Sequence, residues 1–285
     1  MRKNNPHLQV LVAEKAGFCF GVKRAIRIAR EAAEKDRGKV YTLGPLIHNP
    51  QVVEDLARRG VVVSKGIPAS DGAVIIRSHG IHPQILNRIK TKGIKIMDAT
   101  CPFVKAAQEK AALLKRQGYQ VVVIGEKNHP EVQGIVGYAG KGTIVIDQNE
   151  HFPNLSRFKK LGIVTQTTYN FDAFSKSVSK LLNSAKEIKI FNTICNATAD
   201  AQKNALDLAK KVNLMIVVGG YNSANTSRLT QLCRGASRKT YHIETANQLK
   251  KKWFKGVKKV GVTAGTSTPD WIIREVVSKI KEMGN

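Results

Sequence analysis

Apolar residues in this chain follow two alternating rhythms. Short runs rich in β-branched and aliphatic residues are separated by longer stretches in which apolar positions recur every third or fourth residue. The short runs predict strands and the longer stretches predict amphipathic helices. Strands are expected at Leu8–Val12, Lys39–Leu43, Ala73–Ile76, Ile94–Met97, Gln120–Ile124, Leu161–Val164, Ile188–Phe191, Leu214–Val218 and Val257–Val262. Helices are expected at about Val22–Glu34, Gln84–Lys90, Val104–Gln117, Phe174–Leu182, Asp200–Val212 and Trp271–Ile280. Such alternation implies βαβ units, parallel sheets and an α/β fold.

The pattern also repeats, which constrains it further. Three times a strand enters a turn carrying a cysteine and then a long helix: Gly17-Phe18-Cys19, Ala99-Thr100-Cys101 and Thr193-Ile194-Cys195. A second strand follows each helix and ends in a glycine and a polar turn. His48 lies 29 residues after Cys19, His129 lies 28 after Cys101, and Ser223 lies 28 after Cys195. A third strand ends at Arg77-Ser78-His79, at Thr165-Gln166-Thr167-Thr168 and at Thr263 to Thr268. Ligands of parallel sheets gather beyond the carboxyl ends of the strands, where all these turns fall. The expectation is three similar α/β lobes facing one central site: 20–101, 102–194 and 195–285, the last completed by the N-terminal strand within 1–19. The alternative is one large sheet with incidental polar turns.

Composition narrows the function. No apolar run approaches the roughly 20 residues that span a bilayer, so membrane insertion is not expected. The stretch Met1–Val12 has no signal-peptide core, which makes the reducing cytoplasm the expected compartment. Four cysteines there do not suggest a disulfide framework. The formal charge of +26 attracts polyanions, phosphorylated substrates or acidic proteins. The lysines are spread along the chain, with a modest cluster from Lys250–Lys252 to Lys258–Lys259, and no nucleic-acid module accompanies them. A nucleic-acid-binding protein driven by charge is therefore a competing reading, and specific nucleic acid is not expected.

The repeat gives the cysteines a chemistry they lack singly. Equivalent positions in three lobes can meet on a pseudo-threefold axis, and each cysteine precedes a helix whose dipole favours a thiolate. Three thiolates suit either a Cys₃His zinc site or a four-iron cluster with one iron left open. A zinc-dependent enzyme acting on a phosphorylated small molecule thus also remains open. Cys233 breaks the repeat and reads as core. His48, His79 and His129, with Ser223, Thr167–Thr168 and Ser267 as counterparts, form a set of donors suited to an anion, and Asn225 adds an amide. No P-loop pattern is present. Glu131, two residues after His129, is the candidate proton donor, a role that needs a pKa raised by burial.

Nine motifs in order carry a resemblance. They are Ala16-Gly17-Phe18-Cys19-Phe20-Gly21-Val22, Gly44-Pro45-Leu46-Ile47-His48-Asn49-Pro50, Arg77-Ser78-His79-Gly80, Asp98-Ala99-Thr100-Cys101-Pro102 and Asn128-His129-Pro130-Glu131-Val132. Thr165-Gln166-Thr167-Thr168, Thr193-Ile194-Cys195-Asn196-Ala197-Thr198, Asn222-Ser223-Ala224-Asn225 and Thr263-Ala264-Gly265-Thr266-Ser267 complete the set. Across nearly its whole length the chain resembles the 4-hydroxy-3-methylbut-2-enyl diphosphate reductases, the LytB/IspH family. The resemblance implies a trefoil of α/β lobes around one [4Fe–4S] cluster per chain, held by Cys19, Cys101 and Cys195 with one iron not bound by cysteine. It implies reductive dehydroxylation of an allylic diphosphate to isopentenyl and dimethylallyl diphosphates, the last step of the non-mevalonate isoprenoid route. Glu131 would deliver the proton, oriented by Thr167 and assisted by His129. His48, His79, His129, Ser223, Asn225 and Ser267 would hold the diphosphate, and Thr168 would line the pocket. A ferredoxin or flavodoxin would be the electron donor. Ala224, Ala201 and Asn192 stand where the family usually has serine, arginine and aspartate.

Overall fold

The computed structural model describes residues 8–35, 39–47, 49–68, 72–147, 158–237 and 239–284. It contains three four-stranded sheets, every strand pair parallel, with helices connecting the strands. The chain divides into two compact units: Met1–Lys23, Ile47–Asp55 and Asn196–Asn285 form one, and Arg24–Leu46 and Leu56–Cys195 form the other.

The second unit holds two sheets. The first has strands β2 (Lys39–Leu43), β3 (Val61–Ser64), β4 (Gly72–Ile76) and β5 (Lys95–Asp98) in the order β3-β2-β4-β5. The second has β6 (Gln120–Ile124), β7 (Ile144–Ile146), β8 (Phe158–Thr165) and β9 (Ala185–Ile190) in the order β7-β6-β8-β9. The helices α3 (Pro83–Thr91), α4 (Pro102–Arg116), α5 (Pro130–Ala139) and α6 (Phe171–Leu181) belong here too. In the other unit β1 (Gln9–Val12), β10 (Leu214–Val218), β11 (Thr240–Ile243) and β12 (Lys259–Ala264) pair in the order β1-β12-β10-β11. That unit also carries α7 (Asn196–Ala209), α8 (Ala224–Ala236) and α9 (Asp270–Gly284). Helix α1 (Phe20–Lys35) and helix α2 (Pro50–Arg58) run from one unit into the other.

The central strands β4, β6 and β10 are buried along almost their whole length, because both faces of each sheet are covered. Along β6, Val121 and Val123 pack with Ala107, Ala111 and Leu114 of α4, while Val122 and Ile124 pack with Phe174 and Leu181 of α6. Along β10, Leu214, Ile216 and Val218 share a core with Ile272, Val276 and Ile280 of α9. Met215 and Val217 face Ala205, Ala209, Leu229 and Cys233 of α7 and α8.

Three edge strands, β3, β7 and β11, and the helices α2 and α5 do not emerge from the periodicity of the sequence, and of α8 only the stretch Arg228–Cys233 reads as helical. The strands are too short to display alternation, and α5 carries Gly134 and Gly137, which weaken its helical pattern. Those glycines have a packing reason. A Cβ at Gly137 would come within 2.4 Å of the His82 ring, which caps α3 by accepting from Gln84 N–H at 3.2 Å.

One contact sets the spacing between α4 and its sheet. Gly162 in β8 faces Leu114, and a Cβ on Gly162 would lie 2.7 Å from Leu114 Cδ2. Gly162→Val should therefore overpack the core and destabilise the protein by about 1–3 kcal/mol, and Leu114→Ala alone by about 2–5 kcal/mol. The two changes relieve one another, so the double variant should lose less than the sum when followed by denaturant unfolding without air.

Candidate active site

Each of the three repeat cysteines is fixed by the same backbone bond. Cys19 N–H donates to Thr266 O at 3.1 Å, Cys101 N–H to Ser78 O at 2.9 Å and Cys195 N–H to Thr167 O at 2.7 Å. Ser78, Thr167 and Thr266 lie in the turns that end β4, β8 and β12. Each of these turns is closed in turn by an i to i+3 bond: Gly80 N–H to Arg77 O, Tyr169 N–H to Gln166 O and Thr268 N–H to Gly265 O. The cysteines then begin α1, α4 and α7; the carbonyl of Cys19 accepts from Lys23 N–H and that of Cys101 from Lys105 N–H. Cys101 occupies the N-cap of α4 without a side-chain capping bond, so its sulfur is not consumed in holding the helix. None of the cysteines forms a disulfide.

Further bonds stiffen the cysteine turns. Asp98 Oδ1 accepts from Thr100 N–H at 2.9 Å, and Lys105 Nζ lies 2.6 Å from Asp98 Oδ2. Burial acts to raise the Asp98 carboxyl, but the bonds from Lys105 and Thr100 outweigh it and leave its pKa below the usual carboxylate value. Arg24 adds bonds to Thr100 O and Asp98 O. In the third repeat Asn192 does the corresponding local work, its Oδ1 accepting from Ile194 N–H at 3.1 Å. The departure from aspartate keeps the turn and drops the charge. Ala201 is simply buried in α7.

Glu131 sits in the first turn of α5 and is 1% exposed. Its Oε1 accepts from Thr167 N–H at 2.5 Å and its Oε2 from the Thr167 hydroxyl at 3.0 Å. The pairing arises because β6 and β8 are neighbours, so their carboxyl-end turns adjoin. Burial pushes the Glu131 pKa up to about 7, against the two Thr167 bonds and with a small contribution from Glu126. A carboxyl group balanced near neutrality can both hold and release a proton.

His129 is the N-cap of α5, its Nδ1 accepting from Glu131 N–H at 3.2 Å. That bond requires an unprotonated Nδ1 and so places the ring hydrogen on Nε2. The rings of His79 and His129 meet edge to face, with centroids 5.4 Å apart. Thr168 is exposed at the same strand end. Its hydroxyl oxygen accepts from Gln166 Nε2 at 3.0 Å, while Gln166 Oε1 accepts from Glu126 N–H at 3.0 Å. Gln166 is a buried positioning residue that the sequence analysis does not single out.

In the other unit Ser223 caps α8, its Oγ accepting from Thr226 N–H at 3.3 Å. Asn225 Nδ2 donates to Thr266 Oγ1 at 3.0 Å, which ties it to the turn that bears Ser267 and receives Cys19. His48 lies outside the described residues. Its neighbour Asn49 caps α2, with Oδ1 accepting from Val52 N–H at 3.1 Å. Cys233 is fully buried among apolar side chains, and burial pushes its thiol up to about 11.

Among the described residues no group of three or more His, Cys, Asp or Glu is placed to hold a single metal ion. A four-iron cluster does not need such a group, because each cysteine binds a different iron. The donor set of three thiols, each preceding a helix and anchored by its own amide, fits that requirement.

Comparison with known proteins agrees with this arrangement. The LytB protein family model matches residues 10–281. A 4-hydroxy-3-methylbut-2-enyl diphosphate reductase of Geobacter metallireducens is 51% identical over 97% of this chain and 98% of its own length. The protein of that name from Aquifex aeolicus is 50% identical over 97% of both chains. A solved structure of (E)-4-hydroxy-3-methyl-but-2-enyl diphosphate reductase, the terminal enzyme of the non-mevalonate pathway, matches with a TM-score of 0.78 and 48% identity, covering 96% of this chain and 99% of that one. The corresponding reductase of Plasmodium falciparum matches with a TM-score of 0.85 and 30% identity over 96% of this chain and 88% of that one. With its cysteine turns, its buried acid and these relatives taken together, the chain belongs to the LytB family.

Proposed function

We propose that the protein is a 4-hydroxy-3-methylbut-2-enyl diphosphate reductase, removing the allylic hydroxyl group as water to give isopentenyl and dimethylallyl diphosphates. The observation that carries this reading is Glu131, raised toward neutrality by burial against two Thr167 hydrogen bonds, beside a cysteine anchored to that same threonine. A [4Fe–4S] cluster held by Cys19, Cys101 and Cys195, with one iron not bound by cysteine, would supply Lewis acidity and electrons one at a time.

The chain's own residues would do the rest. His48, His79, His129, Ser223, Asn225 and Ser267 hold the diphosphate; for His129 the hydrogen on Nε2 is the donor. Thr168, held by Gln166, lines the pocket. Glu131 donates the proton that turns the departing hydroxyl into water, and Thr167 keeps its carboxyl oriented. The three lobes would be 20–101, 102–194 and 195–285 with 1–19, and Cys19, Cys101 and Cys195 stand at their boundaries. A ferredoxin or flavodoxin would deliver the electrons, and the net positive charge would speed its approach if that donor is acidic. No helix among the described residues is long and apolar enough to cross a membrane, and the cytoplasm is the compartment we assign.

Anaerobic assay of cysteine-to-serine variants with the allylic diphosphate and a reduced donor tests the centre. Cys19→Ser, Cys101→Ser and Cys195→Ser should each lose the brown chromophore and turnover together, and retention of both in any one of them would count against the assignment. Cys233→Ser should keep both.

The acid has its own signature. Glu131→Gln should lower kcat by about 10²-fold or more, the usual contribution of a general acid. In the wild type, turnover should fall as pH rises through about 7, because the proton to be donated is then lost. Thr167→Val removes a hydrogen bond that favours the charged form, so this fall should move to higher pH. The same burial links pH to stability. Between about pH 4.5 and 7 the unfolded carboxyl is ionised while the folded one keeps its proton, so stability declines across that window by on the order of 3 kcal/mol and is then level. Denaturant unfolding at pH 5 and pH 8 should show this decline in the wild type and its absence in Glu131→Gln.

A further inference from the structure

A cavity of about 660 Å³ lies beyond the carboxyl ends of β2, β3 and β4. The sheet order places it at a topological switch point. The chain leaving β2 goes to the β3 side, whereas the chain leaving β4 goes through α3 to the β5 side. The crevice between such diverging connections is where open parallel sheets take ligands. Its volume falls in the range of about 300–1,000 Å³ usual for small-molecule sites.

Its charge has one sign. Arg77 from the end of β4, Lys65 from the end of β3 and Arg88 on α3 line it, with no aspartate or glutamate among the described residues of the lining. Arg77 is half-buried, and no ion pair joins it to a carboxylate among the described residues. Burial alone draws its guanidinium below the ordinary arginine value. The desolvation is left uncompensated by the protein, and an anion would offset it. Gly44, at φ +76°, forms the opposite rim; a Cβ there would stand 3.0 Å from Arg77 Nη1. Glycine thus keeps the approach to the guanidinium open.

Much of the remaining lining is aliphatic, beside Ser64 and Gly66. Val63, Ile67, Ile81 and Ile85 contribute, Val63 and Ile85 being 41% and 36% exposed. A lining of cations and aliphatic side chains fits a ligand with an anionic head and a hydrocarbon body better than a bare ion. Arg77 shares its turn with Ser78 and His79, whereas Lys65, Arg88, Val63, Ile67 and Ile85 belong neither to that turn nor to the donors assigned above.

We propose that this crevice is a second ligand site, separate from the reductase chemistry, which binds a small organic phosphate or diphosphate bearing an apolar tail. Its existence does not depend on the reaction proposed for the cysteine site. Calorimetric titration of the anaerobically purified protein with geranyl diphosphate tests it, with inorganic pyrophosphate as the tailless probe. Geranyl diphosphate is expected to bind with an affinity that Arg88→Glu, on the exposed face of α3, weakens at least tenfold while leaving reductase kcat unchanged, and that Arg77→Gln weakens as well. Pyrophosphate should bind there at least tenfold more weakly than the prenyl ligand. No binding, or binding that Arg88→Glu leaves unaltered, would overturn the proposal. Equal affinity for pyrophosphate would overturn the assignment of an apolar tail.

Discussion

The bond on which this architecture depends is the amide of each repeat cysteine donating to the carbonyl of a neighbouring strand-end turn. It occurs at Cys19–Thr266, Cys101–Ser78 and Cys195–Thr167. A parallel sheet leaves backbone groups beyond its carboxyl edge that need partners. Here one of those groups, a carbonyl, is satisfied by the next chain segment as it passes from its strand into a helix. The same bond therefore serves two ends. It closes the edge of the sheet, and it fixes the cysteine backbone at the start of a helix, where the peptide dipoles favour an anionic sulfur.

Thr167 shows how much can rest on one such turn. Its carbonyl anchors Cys195, while its amide and hydroxyl hold both oxygens of Glu131. Burial favours the neutral acid and the two hydrogen bonds favour the carboxylate; burial is the larger effect, and the result lies near pH 7. Desolvation without those bonds would keep the acid protonated too firmly to release its proton readily, and the bonds in an exposed position would leave it ionised. The proposed proton donor and a proposed cluster ligand are thus joined through a single residue, so a disturbance of that turn reaches both.

Much of this could be read from the sequence, for physical reasons that differ by element. Strands β4, β6 and β10 coincide with the apolar runs because continuous burial on two faces writes itself directly into residue type. The cysteines stood out through the near-equal spacing to His48, His129 and Ser223, although His48 falls outside the described residues. The edge strands were not separable from loops. Ile144–Ile146, for example, has three residues, fewer than alternation needs to become visible. Residues such as Gln166 were hidden for another reason: a buried glutamine linking Glu126 N–H to Thr168 Oγ1 depends on neighbours brought together by strand pairing, and spacing along the chain carries no trace of that.

The fourth thiol bears on how the protein could be assembled. Cys233 is enclosed by Ala205, Ala209, Met215, Val217 and Leu229, and it holds its proton far above neutral pH. Iron delivery and oxidants both act on exposed thiolates, so within the folded chain this sulfur is withdrawn from either fate. Maturation would then meet no decoy in Cys233, the one cysteine outside the repeat, because the apolar core keeps its thiol enclosed and protonated.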